Sequence, residues 1–116
     1  MMIRSENPFP KTRIENESTQ IDLRLGGVGS DEIVVRAVVD EGADGELLGV
    51  EILNLLDQVG RDALSFWTVA ARPFAYDDDA DAFYVRIRSG QSAHQSSIDA
   101  HLYLDKEGLF RIVVHT

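Results

Sequence analysis

The chain contains no cysteine and has few residues of several other types. Its 116 residues include three prolines and one tryptophan. The lack of cysteine excludes disulfides, thiol chemistry and cysteine-ligated zinc. No apolar run approaches the length that crosses a bilayer, and the N-terminal segment lacks an apolar stretch of signal-peptide length. We therefore expect a cytoplasmic protein with no membrane partner.

Basic residues are also scarce. Eleven Lys and Arg stand against 20 Asp and Glu, and the formal net charge is −9. Proteins that bind a phosphate backbone need clustered basic side chains, so this balance argues against nucleic acid as a partner. The hydrophobic fraction of 44% is ordinary for a globular domain, and the length fits a single domain over residues 1–116.

A pattern of alternating apolar and polar residues, typical of strands, is present and occurs twice. In the second occurrence the apolar positions are Phe83, Val85, Ile87; Ile98, Ala100, Leu102, Leu104; and Phe110, Ile112, Val114. The matching positions in the first are Ile21, Leu23, Leu25; Ile33, Val35, Ala37, Val39; and Leu48, Val50, Ile52. We predict an internal duplication, with a first β-unit over 12–53 and a second over 73–116.

Each β-unit is predicted to be an antiparallel meander of three to four strands, the first of them a short strand. A helix is predicted between the units, over about 55–71 within the linking residues 54–72. Asn54 is placed to cap it, and the apolar residues recur at helical spacing. The predicted fold class is α+β and mostly antiparallel. Because one helix serves two sheets, we expect apolar surface that a homodimer or a small protein partner covers.

Two short stretches resemble a known family. Tyr76-Asp77, followed by Asp81-Ala82-Phe83-Tyr84, resembles the tyrosine–aspartate hairpin that opens modules of the family catalogued as domain of unknown function 2283. The stretch 44–53, DGELLGVEIL, resembles the closing strand of the same modules, in which an aspartate-glycine turn leads into a G-apolar-E-apolar-L run. The resemblance implies two tandem modules, each of strands followed by a helix.

Each copy keeps only half of this family pattern. The first copy has Ile14 and Glu15 at the tyrosine and aspartate positions, and the second has RIVVH at 111–115 in place of the closing run. The resemblance implies no catalytic residues. It points to an antitoxin-like partner of another small protein.

The acidic stretch YDDDAD at 76–81 offers two interpretations. Asp77, Asp79 and Asp81 have the first three spacings of a calcium loop, but Ala82 and Arg88 occupy the positions that need glycine and glutamate. We therefore predict a hairpin turn whose aspartates accept hydrogen bonds from turn amides. These three residues stay as weak candidates for a metal site.

The outer face of the second β-unit is where we expect a ligand site, if there is one. Its candidate residues are Tyr84, Arg86, Asp99, His101 and His115. We expect Gly108 to adopt the left-handed conformation of a bulged hairpin turn, which pairs Leu104 with Phe110 and Leu102 with Ile112. Together with the expected pairing of Ile87 with Ile98, this register places Arg86, Asp99 and His115 in one row. An aspartate between an arginine and a histidine can orient the imidazole and raise its pKa.

The alternative interpretation of this row is cross-strand pairing that stabilises the surface. The first copy supports it, because the matching row of Asp22, Arg36 and Glu51 is also charged but has other residue types. Two functions follow. The favoured one is a non-enzymatic binding or interaction module, and the alternative is a small-ligand-binding protein or enzyme that uses the outer face. The sequence indicates no cofactor.

Overall fold

The computed structural model describes residues 10–15, 17–24, 31–59, 74–77, 79–105 and 108–115. Within this part of the chain there are eight strands and one short helix. Their bounds are β1 (Lys11–Glu15), β2 (Ser18–Asp22), β3 (Asp31–Glu41), β4 (Leu47–Leu53), α1 (Leu55–Val59), β5 (Phe74–Asp77), β6 (Ala82–Arg86), β7 (His94–Asp105) and β8 (Gly108–His115).

All eight strands form one antiparallel sheet in the order β1-β2-β8-β7-β3-β4-β6-β5. The order is symmetric, because exchanging β1–β4 with β5–β8 and starting from the other edge gives it again. We call β1–β4 the first half and β5–β8 the second half. The long strands β3 and β7 form the centre and pair from Asp31–Leu104 to Glu41–His94. The sheet curves as a half-barrel.

The prediction of antiparallel strands is confirmed, but the prediction of two separate meanders is wrong. β2 pairs with β8 and β6 pairs with β4, so strands of one half lie beside strands of the other. The expected pairing of Ile87 with Ile98 is therefore absent. The reason is physical: alternation determines which face a side chain occupies, and it does not determine which strand lies alongside.

The hairpin of β7 and β8 follows the predicted register in part. Leu102 lies opposite Ile112 as expected, but Leu104 lies opposite Leu109, because a bulge at Phe110 shifts the register. Gly108 adopts φ 109°, the conformation predicted for it. A bulge at the corresponding place also interrupts the pairing of β3 with β4.

Equivalent backbone contacts define matched positions in the two halves. The Leu23 N–H donates to the Phe110 carbonyl at 2.8 Å, and the Ile87 N–H donates to the Leu48 carbonyl at the same distance. Ala37 opposite Ile52 corresponds to Ala100 opposite Val114. The matches in β2 and β6, and those in β3 and β7, differ by two residues from the matches inferred by aligning the sequence.

The inner face of the sheet holds the core. Alternate residues of every central strand point to it and are buried, as the sequence pattern predicts. The cluster consists of Ile21, Leu23, Val35, Ala37, Val39, Val50, Ile52, Leu55, Phe83, Val85, Ala100, Leu102, Leu109, Ile112 and Val114. Burial of this one continuous face is the main source of stability.

Helix α1 leaves the sheet at the end of β4. Leu55 is fully buried in the core, and Leu56 and Val59 pack against it. The remainder of the predicted helix, residues 60–71 with Trp67, lies outside the described residues. The Gln58 side chain binds the backbones of β3 and β4. Its Oε1 accepts a hydrogen bond from the Arg36 N–H at 3.0 Å, and its Nε2 donates to the Leu53 carbonyl at 2.6 Å.

Candidate functional site

The aspartate stretch forms a hairpin turn, as predicted. Strands β5 and β6 pair on either side of it, and Asp77 Oδ1 accepts a hydrogen bond from the Asp79 N–H at 3.0 Å. Asp78 lies outside the described residues. In the described part of the chain, no group of three or more His, Cys, Asp or Glu side chains has the geometry to hold a metal ion.

Asp81 joins this turn to helix α1. Its carboxylate accepts hydrogen bonds from the Leu56 N–H at 3.0 Å and from the Tyr76 hydroxyl at 2.7 Å. Asp81, and not the predicted Asn54, therefore provides the side-chain acceptor at the start of the helix, because Asn54 adopts φ 54° at the strand–helix junction. Tyr76 and Asp81 are both residues of the family pattern.

The same contacts set the acidity of Asp81. Partial burial disfavours the charged form, but hydrogen bonds from the backbone of Leu56 and Asp57 and from Tyr76 favour it more strongly. They hold the pKa of Asp81 below its ordinary value. The carboxylate is therefore ionised wherever the protein is folded near neutral pH.

The five candidate ligand residues of the outer face do not form the predicted row. Strand β6 is separated from β7 by β3 and β4, so Tyr84 and Arg86 lie far across the sheet from Asp99. Asp99 instead pairs with Arg36 at the centre, where Arg36 Nη1 and Asp99 Oδ1 are 2.9 Å apart. Both side chains are more than 60% exposed, so this ion pair contributes little to stability.

His101 and His115 form a second group with Glu32 and Tyr103. Glu32 Oε2 lies 2.6 Å from His101 Nδ1 and accepts the Tyr103 hydroxyl at 3.1 Å. The His101 and His115 rings meet edge to face at 5.4 Å. Hydrogen bonds from His101 and Tyr103 lower the pKa of Glu32, and burial followed by the bond to Glu32 raises the pKa of Tyr103.

Tyr84 belongs to a third group, around Asp40. Asp40 accepts hydrogen bonds from the Gln95 amide at 2.6 Å and from the Tyr84 hydroxyl at 3.4 Å. Burial and then the charge of Asp40 raise the pKa of Tyr84. The Tyr84 ring crosses β4 at Gly49, where a Cβ atom would overlap its hydroxyl. Gly49 therefore makes room for the Tyr84 side chain.

The charged row predicted for the first copy is likewise divided. Asp22 lies opposite Arg111, and its Oδ1 is 2.6 Å from Arg111 Nε. Arg36 pairs with Asp99 as described above, and Glu51 lies opposite Tyr84. Outer-face charges are thus neutralised mainly by residues of the other half.

A pocket of about 420 Å³ opens beside helix α1. Its lining includes Arg36, Asp57, Gln58 and Ser97. Two of these polar groups already have partners, since Arg36 pairs with Asp99 and Gln58 binds the strand backbone. The pocket therefore offers few free polar groups that would orient a small ligand.

Strand β1 is an edge of the sheet that the described residues form. All five of its residues are exposed, and within the described ranges it pairs with β2 alone. Lys11, Arg13 and Glu15 share one face, and Thr12 and Ile14 share the other, which continues the inner face. Ile14 is 76% exposed, the highest value among the exposed large hydrophobic residues described. In the sequence, Ile14 stood out only because it occupies the position where the resembled family has tyrosine.

Beneath Ile14 lies a pocket of about 180 Å³, which we call the β1 notch. Side chains of the β1–β2 hairpin form one wall, and residues beside the β3–β4 turn and after β6 form the other. The lining residues are Thr12, Ile14, Thr19, Gly45, Glu46, Leu47, Ile87 and Arg88. The notch was not predicted, because it exists only through the curvature that brings these segments together.

Comparison of the chain with protein-family models, curated proteins and solved structures gave no match. The family resemblance therefore remains an expectation drawn from the sequence. No helix within the described residues is long and apolar enough to cross a membrane.

Proposed function

We propose that the protein is a non-enzymatic interaction module that binds an extended segment of another small protein as an additional strand on β1. The observation that supports this most is the position of β1, which among the described strands pairs with β2 alone and has five exposed residues, with Ile14 beside the β1 notch. Strand addition gains affinity from main-chain hydrogen bonds and specificity from pockets that receive alternate side chains.

The charges of β1 favour an acidic partner segment. Lys11 and Arg13 lie on the same face of a strand in a chain whose net charge is −9. Arg13 Nε is 3.3 Å from Glu15 Oε1, but both side chains are more than 60% exposed, so this pair is easily exchanged. Acidic side chains opposite Lys11 and Arg13 would add cross-strand attraction.

A second copy of the chain is a less suitable occupant than a different protein. On the face that meets the notch, β1 of a second copy presents only Thr12 and Ile14. Antiparallel pairing of the two strands about Arg13 places Arg13 opposite Arg13 but Lys11 opposite Glu15, so charge alone does not exclude a second copy. The homodimer expected from the sequence therefore becomes the competing outcome of the experiment.

The candidate ligand residues of the outer face do not come together as one site. Four of the five fall into three groups, and Asp99, His101 and Tyr84 each have a protein partner. Under the family resemblance, the bound protein would be a small toxin that the module restrains. The small-ligand alternative needs a site elsewhere on the molecule.

The test is retention of a partner from lysate of the protein's own source by three chains: the parent, Ile14→Asp and Val34→Asp. Val34 is the matched control, because it is also exposed, at 55%, but lies on the outer face of β3. We expect one stoichiometric protein with the parent and with Val34→Asp, and its loss with Ile14→Asp. Equal retention by all three, or a parent that light scattering shows as a bare homodimer, contradicts the proposal.

A further inference from the structure

The β1 notch has a counterpart in the second half of the sheet, and the two differ in the residues that fill them. Ile14 lies opposite Thr19 in the β1–β2 hairpin, and Tyr76 lies opposite Phe83 at the matched place in β5–β6. The match is supported by the turns that precede β2 and β6, where Glu17 and Asp81 adopt φ 67° and 51°.

Aromatic rings occupy the second half at these positions. Phe83 is fully buried, and Tyr76 packs against the core with its hydroxyl on Asp81. In the first half, the smaller Ile14 and Thr19 leave the space that forms the notch. The notch is thus a space that could hold an aromatic ring, at the position where the second half of the sheet has the Tyr76 and Phe83 rings.

Two arginines at matched positions also differ. Arg24, which follows β2, lies 5.9 Å from the centroid of the Phe110 ring and forms two hydrogen bonds with Asp105. Its matched residue is Arg88, since Leu23 and Ile87 make the equivalent backbone bond. Arg88 lines the notch, is exposed, and has no ion-pair partner among the described residues.

We propose that the β1 notch binds an aromatic side chain, phenyl or phenol, of the segment that adds to β1. The inference rests on the proposed function and specifies the residue that the partner must carry. A side chain of the added strand stands next to Ile14 on the same face of the sheet, because neighbouring strands are about 4.8 Å apart. The ring enters between Thr19 and Ile87, and the Arg88 guanidinium lies over its face.

The probe is p-cresol, the isolated side chain of tyrosine, titrated into methyl-labelled protein and followed by NMR. We expect saturable shifts of the Ile14, Thr19 and Ile87 methyl groups, and none at Val34. Thr19→Phe introduces the residue of the matched position, and it should weaken p-cresol binding by about tenfold or more. Thr19→Val keeps the size of the side chain, and it should retain binding.

A second pair of variants covers the case in which Thr19→Phe does not fold. Arg88→Ala should weaken p-cresol binding by about two- to fivefold, the effect expected of an exposed cation–π contact. Arg86→Ala removes an exposed arginine that does not line the notch, and it should have no effect. Unchanged binding in Arg88→Ala and Thr19→Phe, or methyl shifts away from the notch, would overturn the proposal.

The two proposals fail separately. If p-cresol occupies the notch while the lysate experiment finds no partner that depends on Ile14, the aromatic site stands and strand addition is wrong. If a partner depends on Ile14 but p-cresol causes no shift at the notch methyl groups, strand addition stands and the aromatic site is wrong.

Discussion

The two halves of the sheet share one topology and differ in how completely they are filled. The second half has Tyr76 and Phe83 at the positions where the first has Ile14 and Thr19. The matched arginines differ as well, since Arg24, which follows β2, is tightly held by Asp105, whereas Arg88, which follows β6 and lines the β1 notch, is exposed. Among the described residues, the edge at β5 and β6 is therefore filled by its own side chains, and the edge at β1 adjoins an open notch. Under the proposed function, the edge at β1 is the one that binds the partner.

The largest expected contrast is between Phe83 and Thr19. Phe83→Ala removes a fully buried ring and should lower the free energy of unfolding by about 3–5 kcal/mol. Thr19→Ala should lower it by about 1 kcal/mol or less, because its surroundings already contain a cavity. Urea unfolding of both variants measures the contrast. Similar losses at the two positions would show that the halves are equally packed.

The matched arginines give the next contrast. Arg24 Nη1 donates to Asp105 at 3.1 Å and Nη2 donates to the Gly108 carbonyl at 2.8 Å, with about a tenth of either charged side chain exposed. Arg24→Ala leaves Asp105 buried without this partner and should cost about 3 kcal/mol. Arg88→Ala should change stability by less than about 0.5 kcal/mol. A thermal or urea unfolding series that shows equal effects would contradict this account of the two sites.

The turns of the two outer hairpins should differ by less. Asp81→Ala removes the acceptor for the Leu56 N–H and the Tyr76 hydroxyl and should cost about 1–2 kcal/mol. Glu17→Ala changes the matched residue, which is exposed, and should cost about 0.5 kcal/mol or less. Calcium or magnesium should leave both values unchanged. Tight, stoichiometric calcium binding by the parent that Asp81→Ala abolishes would instead establish a metal site.

The smallest effect is a dependence on pH. Because the folded pKa of Asp81 is lowered, its carboxylate stabilises the fold above the unfolded pKa and loses that effect as pH falls through the folded value. The stability difference between the parent and Asp81→Asn should therefore be constant near neutrality and shrink below about pH 4. Asparagine also tolerates the positive φ at this position. A difference that is the same at low pH would show that the charge has no role.

Local features of the sequence predicted local features of the structure. Alternation identified the inner-face residues of β6 and β7, and the turn residues identified the hairpins at Asp77–Asp81 and at Gly108. In β8 it identified Ile112 and Val114, but the core cluster contains Leu109 and not the predicted Phe110, because the bulge shifts the register. These features depend on side chains close together along the chain. The internal duplication remains a prediction, with which the symmetric strand order agrees.

Features that depend on distant segments were not predictable in the same way. The long strands β3 and β7 pair with each other, and β2 and β6 therefore each pair with a strand of the other half. Alternation alone does not encode this pairing. The same pairing separates Arg86, on β6, from Asp99 and His115, with which it was expected to form a row. The β1 notch depends on curvature. The sequence showed only that Ile14 stands in place of Tyr76, because aligning the two copies matched Phe83 with Ile21 and not with Thr19.

The most direct test of strand addition is backbone amide exchange, resolved by residue, of the protein alone and with its captured partner bound. We predict slowed exchange at alternate residues of Lys11–Glu15, whose N–H groups face away from β2, and unchanged exchange at the opposite edge, β5 (Phe74–Asp77). Protection confined to the outer face or to helix α1, with β1 exchanging as it does in the free protein, would contradict the account.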